Sequence, residues 1–154
     1  MHERGELRPR EVPGHMSLVG KLHPLLVHFP IALVLAAAGA EILAIRTRRA
    51  SWRVVAVANL RAGAAMGALT LIAGWVLATA PLVEATPSLA LHRWTGVAAV
   101  AATIGAALAS RRPHVQSRRS LLVYRGALFG AAALVAIAGH VGAALVWGAD
   151  FLKP

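Results

Sequence analysis

Lys21-Leu22-His23-Pro24-Leu25-Leu26-Val27-His28-Phe29-Pro30 opens an apolar segment that continues to about Ile45. A run of this length and apolarity is read as a bilayer span. Histidine inside a bilayer is costly unless it faces a protein interior or a cavity, which makes His23 and His28 candidate functional residues. The prolines carry a geometric message. Pro24 suits the first helical position, where its missing N–H costs nothing. Pro30, a turn and a half further in, frees the carbonyl of Leu26 and bends the helix. The expectation is a helix whose entrance is shaped to hold His28 inward.

Composition agrees. The chain has 154 residues, 58% hydrophobic and only 14% charged, with a mean hydropathy of +0.65. Four apolar stretches approach or reach the length of a bilayer span. The formal charge of +10 is gathered in short arginine runs between the apolar segments, where the positive-inside rule expects it, so nucleic acid is not the partner it implies. Membrane lipid is. Cysteine is absent, which excludes disulfides, thiolate metal sites, iron–sulfur clusters and c-type haem attachment.

In chain order, residues 1–20 form a polar tail containing His2 and His15, and residues 21–152 form a four-helix transmembrane domain. Its helices are expected at about residues 22–45, 54–82, 87–110 and 121–147. Thr86 and Pro87 have the chemistry of an N-cap and a first helical residue. Gly63 with Gly67, and Gly126 with Gly130, form GxxxG pairs that permit close helix approach. His114 falls in a loop and reads as a solvated side chain. The fold class is all-α, a four-helix transmembrane bundle with antiparallel up-down topology and short loops. The arginine loops between helices 1 and 2 and between helices 3 and 4 place both termini outside the cytoplasm of a bacterial inner membrane.

That topology brings four histidines to one level. His28 lies ~8 Å into helix 1, His92 lies at a similar depth in helix 3, and His140 lies ~10 Å from the same surface in helix 4. His23 sits at the rim. Two readings of this cluster follow. One is b-type haem, whose iron takes axial imidazoles from facing helices; His28 and His140 form one axial pair, and His23 and His92 a second pair or supporting donors. Gly96, Gly139, Gly142, Ala143 and Ala144 are the small residues a flat macrocycle needs beside it. The other reading is a copper or zinc site of three or four imidazoles. His23 and His28 are five residues apart, about 140° around a helix, so they do not serve one ion from a regular helix. On the opposite side Glu41, Arg61 and Arg125 lie at comparable depth, and a Glu41–Arg61 pair is expected, with Arg125 snorkelling to the surface.

Three separated stretches resemble one bacterial membrane family: His23-Pro24-Leu25-Leu26-Val27-His28-Phe29-Pro30, His92-Arg93-Trp94-Thr95-Gly96, and Gly139-His140-Val141-Gly142-Ala143-Ala144-Leu145-Val146-Trp147-Gly148. The family comprises four-helix "domain of unknown function" proteins that open HP-x-x-VHFP and close GH-x-GG-x-LV-[YW]-G. Ala143 replaces the second glycine of the closing motif, which narrows any slot there. Members joined to cytochrome-like domains imply a redox setting. The functional expectation is a haem-b-binding electron-transfer or quinol-linked subunit with a redox partner protein or a larger membrane complex, rather than a stand-alone enzyme. Its alternative is a non-redox metal-binding or structural subunit of such a complex.

Overall fold

The computed structural model describes residues 18–81, 83–110, 117–148 and 150–151. His2, His15 and His114, and the tail expected before residue 18, lie outside the described residues. Five helices form four rods. Helices α1 (Leu18–Leu26) and α2 (His28–Thr47) make one rod interrupted at Val27, followed by α3 (Ala50–Ala78), α4 (Pro87–Ala109) and α5 (Arg118–Trp147). Helix α3 packs on α2 and α4, and α5 packs on α4 and α2, which closes a four-sided antiparallel bundle; α1 lies against α3. Among the described residues, three rods are long and apolar enough to cross a membrane: Leu18–Thr47, Ala50–Ala78 and Arg118–Trp147. Helix α4 has 23 residues, ~34 Å at 1.5 Å per residue, but Ser88, His92, Arg93 and Thr95 dilute the apolarity of its first turns. We call the end where α1 begins and α5 finishes the terminal end, and the opposite end the arginine end.

The break at Val27 follows from Pro30. Proline has no N–H to give the Leu26 carbonyl, and the next bond, from Ile31 N to Val27 O, is stretched to 3.5 Å. The Thr70 hydroxyl of α3 donates to the stranded Leu26 carbonyl at 3.3 Å. Pro24 is placed differently from the sequence expectation. Helix α1 starts at Leu18, so Pro24 sits inside it rather than at its first position. The extra turn is held by Gly20, so close to α3 that a Cβ there would lie 3.1 Å from Leu77 Cα.

Other boundaries move because arginine runs extend helices instead of forming loops. Helix α3 starts at Ala50, and the link from α2 is only Arg48 and Arg49, with Arg48 in the left-handed region at φ 57°. Arginine is a good helix former whose long stem carries its charge away from the helix body. Helix α5 starts at Arg118 because the Ser117 hydroxyl accepts from Ser120 N at 3.2 Å. Helix α4 starts where Thr86 and Pro87 set it, the Thr86 hydroxyl accepting from Leu89 N at 3.1 Å.

The core is mostly alanine. Val34, Ala38, Ala99, Ala132, Val135 and Ala138 fill one layer, and Ala37, Leu60, Ala106, Ala107, Tyr124 and Leu128 another nearer the arginine end. In lipid, burial of apolar surface gives helices little reason to associate, so close packing through small side chains must do so. Gly63 is such a contact, since a Cβ there would meet Val34 Cγ2 at 2.8 Å. Gly67 faces Val100 in the same way, whereas Gly126 and Gly130 have open space around them. Among the described residues, the first GxxxG pair joins helices and the second does not.

The arginine end is tied by charge. Glu41 is fully buried. Its carboxylate accepts from Arg53 Nε at 3.3 Å and Nη2 at 3.2 Å, and from Arg125 Nε at 2.8 Å. This corrects two expectations: Arg53 takes the place of Arg61, and Arg125 pairs instead of snorkelling. Arg61 lies eight residues beyond Arg53, ~12 Å further along α3 and ~80° around it, and is exposed. Replacing Glu41 with Gln weakens charge-assisted bonds to two helices at once and should destabilise the fold by about 2 kcal/mol. Arg61→Gln should change stability by less than about 0.5 kcal/mol. Unfolding midpoints of the two variants in one detergent check both; equal losses would show that the triad does not hold the helices together.

Candidate functional site

At the terminal end, α1 packs closely on α3 through two glycines, Gly20 and Gly74. A Cβ on Gly74 would lie 2.6 Å from His23 Cε1 and 2.8 Å from its Nδ1, so the His23 ring rests directly on the α3 backbone. Its Nδ1 is 3.0 Å from the Thr70 carbonyl. A carbonyl only accepts, so Nδ1 carries the proton of the neutral ring and Nε2 keeps the lone pair. Thr70 is thereby used twice, its hydroxyl on Leu26 and its carbonyl on His23.

The other half mirrors this arrangement. His92 of α4 rests on α5 at Gly142, where a Cβ would meet its Cε1 at 2.7 Å. The Ala138 backbone neighbours the ring, and His92 Nδ1 is buried with no hydrogen-bond partner. The Thr95 hydroxyl donates within α4 to the carbonyls of Leu91 (2.9 Å) and His92 (3.0 Å). The His23 and His92 rings meet edge-on, with centroids 6.4 Å apart and planes at 71°. Four helices thus converge on two imidazoles.

A rim of aromatic and cationic groups joins α3 to α4 beside the pair. The Arg93 guanidinium carbon stands 4.1 Å from the Trp75 ring centroid, and Trp75 meets Trp94 edge-on at 6.4 Å. The sequence analysis gave Trp75 no role and did not join it to Arg93 and Trp94 beside the histidines. The signal was available in their numbering, since Gly74-Trp75 and His92-Arg93-Trp94 place each rim residue next to a site residue.

The four histidines expected at one level divide into two pairs of different character. His23 and His92 are brought together inside the bundle. His28, the first residue of α2, is exposed, contrary to the inward placement expected of it. The 140° between it and His23 explains the difference, because only one of them can face the interior. His140 is also exposed, its ring 5.8 Å from that of Phe151. At the α2–α5 seam, Ile31 Cδ1 lies 3.2 Å from where a Cβ on Gly139 would be. The small residues expected to flank a macrocycle have divided roles. Gly142 receives the His92 ring, Gly139 receives Ile31, and Gly96 has nothing within 4 Å of a built Cβ.

The donors this place offers are two imidazoles, their ring centroids 6.4 Å apart and their planes at 71°. A proton-bearing Nδ1 on a backbone carbonyl is the usual support for a ligating histidine, and a buried unpartnered nitrogen requires an explanation. Among the described residues no group of three or more His, Cys, Asp or Glu side chains is placed to hold a metal ion, so the three- or four-imidazole site is not assembled there.

Gly142→Ala tests the geometry. Its Cβ would drive the His92 ring off α5, so a zinc or copper ion bridging His23 and His92 should bind at least ten-fold more weakly than in the parent. Gly96→Ala, which meets open space, should bind it like the parent. Isothermal titration in detergent measures both, and equal affinity in all three proteins would sink the geometric argument.

The family model described as Predicted membrane protein (DUF2231) matches residues 20–151. No curated protein and no solved structure matches the chain.

Proposed function

We propose that this chain, which belongs to the family described as Predicted membrane protein (DUF2231), is an electron-transfer subunit whose His23 and His92 hold b-type haem iron. The observation that carries the reading is the half-buried imidazole pair with ring centroids 6.4 Å apart. His23 presents Nε2 because Thr70 fixes its tautomer, and His92 is held on the bare backbone at Gly142. Haem would supply one-electron chemistry there, with His23 and His92 the residues that would hold its iron. The protein's part is to fix both rings, His23 on the backbone at Gly74 and His92 on that at Gly142. His28 and His140 are exposed and stand outside this pair.

A second reading has its own support. The Trp75–Trp94 and Arg93–Trp75 contacts join α3 to α4 beside the pair, and a bare copper ion between the rings leaves them undisturbed, imidazole being a good copper ligand. Protein made with ample haem should show a reduced-minus-oxidised spectrum of a low-spin b-type centre. His23→Ala and His92→Ala should each abolish it, and His140→Ala should retain that component. Colourless protein with about one copper per chain would replace haem with the second reading. Colourless protein without metal would overturn both and leave a structural subunit.

Orientation follows from charge. Arg46, Arg48, Arg49, Arg53, Arg118, Arg119 and Arg125 gather at one end, against Lys21 and Arg93 with Glu84 and Asp150 at the other. The positive-inside rule assigns the arginine end to the cytoplasm of a bacterial inner membrane. The histidine pair then opens toward the opposite side, where its redox partner would dock. A reporter fused after Pro154 should read as non-cytoplasmic; a cytoplasmic reading would invert the partner assignment and leave the site unchanged.

A further inference from the structure

The arginine end holds a cleft of about 300 Å³ lined by Ala44, Ile45, Arg48, Arg49, Ala50, Arg53 and Arg125. Four guanidiniums face it, and the carboxylate bound to them is Glu41, which pairs with Arg53 and Arg125 from its buried position. Glu41 engages Nε and Nη2 of Arg53 and Nε of Arg125. A guanidinium has five N–H donors, so both side chains keep donors beyond those Glu41 uses. Arg48 and Arg49 add their charges from the two-residue link.

Three further features point to an anion. Arg48 occupies a left-handed conformation (φ 57°) at the C-terminus of α2, where glycine fits most easily; its side chain stands at the cleft. Helix α3 begins at Ala50 in the cleft wall, with no side-chain cap and no acidic residue in its first turn, so its free N–H groups carry partial positive charge. Ala44 and Ile45 supply an apolar wall, and exposed Ile42, Leu43 and Ile45 continue it along the bundle surface.

We infer that this cleft binds a phosphate oxyanion, from the headgroup of an anionic phospholipid or from free phosphate. The guanidinium fork matches two phosphate oxygens at once. Basic pockets between transmembrane helices take such headgroups, and the apolar wall gives an acyl chain a path.

The test uses full-length protein in an uncharged detergent and follows its unfolding midpoint with added phosphatidylglycerol, phosphatidylcholine or inorganic phosphate. Phosphatidylglycerol should raise the midpoint by several degrees and phosphatidylcholine should not. An equal rise with inorganic phosphate would identify the soluble ion as the source, and a rise confined to the lipid would identify the headgroup. Arg48→Gln with Arg49→Gln leaves the Glu41 triad intact and should weaken the apparent affinity at least ten-fold. Arg118→Gln with Arg119→Gln removes the same charge outside the cleft lining and should retain it. Arg48→Gly keeps the fold, because glycine suits φ 57°, and should lower the affinity while the ligand-free midpoint holds or rises. No response to either phosphate compound, or equal weakening by the two double variants, would overturn the site.

Discussion

One unsatisfied carbonyl organises the terminal end. Pro30 has no N–H to give Leu26, and in a bilayer no water replaces it. The donor comes from another helix, the Thr70 hydroxyl of α3. That bond fixes α1 against α3 at the level where the Thr70 carbonyl receives His23 Nδ1. The proline break and the histidine are therefore two ends of one short hydrogen-bonded path. A straight helix would satisfy Leu26 internally and leave Thr70 without that acceptor. His23 would then lose the reference that sets its height over Gly74.

The two ends of the bundle use opposite chemistry to solve the same problem. Packing of alanine on alanine holds the middle, but small residues alone specify register weakly. At the arginine end, Glu41 gathers Arg53 and Arg125 and so ties α2, α3 and α5. At the terminal end, imidazoles seated on glycine backbones tie α1 to α3 and α4 to α5. The charged tie is rigid because Glu41 is wholly buried. The imidazole tie is looser, since His92 Nδ1 is buried without a hydrogen-bond partner.

Much of this was legible in the sequence, for identifiable reasons. Apolar run length gave four rods, because bilayer thickness fixes helix length. The Thr86-Pro87 pair gave the start of α4, because capping is local chemistry. The Pro30 break was legible because the missing N–H is a property of the residue itself. Inter-helix pairing was less so. Depth alone made Arg61 a partner for Glu41, whereas the two-residue Arg48–Arg49 link brings Arg53 close and leaves Arg61 on the outer face. Likewise, depth grouped four histidines, but rotation about the helix axis decides which of them meet. His28 and His140 are exposed to the bundle's surroundings, whereas the half-buried His23 and His92 meet. Depth is read from residue count, and facing direction depends on packing partners that a linear sequence does not display.

That division bears on the proposed role. His23 and His28 are five residues apart, ~7.5 Å along the rod, so an interior centre and an outward one would lie one above the other at the terminal end. His23 and His92 rest on the backbone at Gly74 and Gly142, whereas His28 and His140 face the medium around the bundle. The five-residue spacing of HPLLVHFP therefore presents one imidazole to the bundle and another to its surroundings, and the break at Val27 lets the two segments be oriented separately.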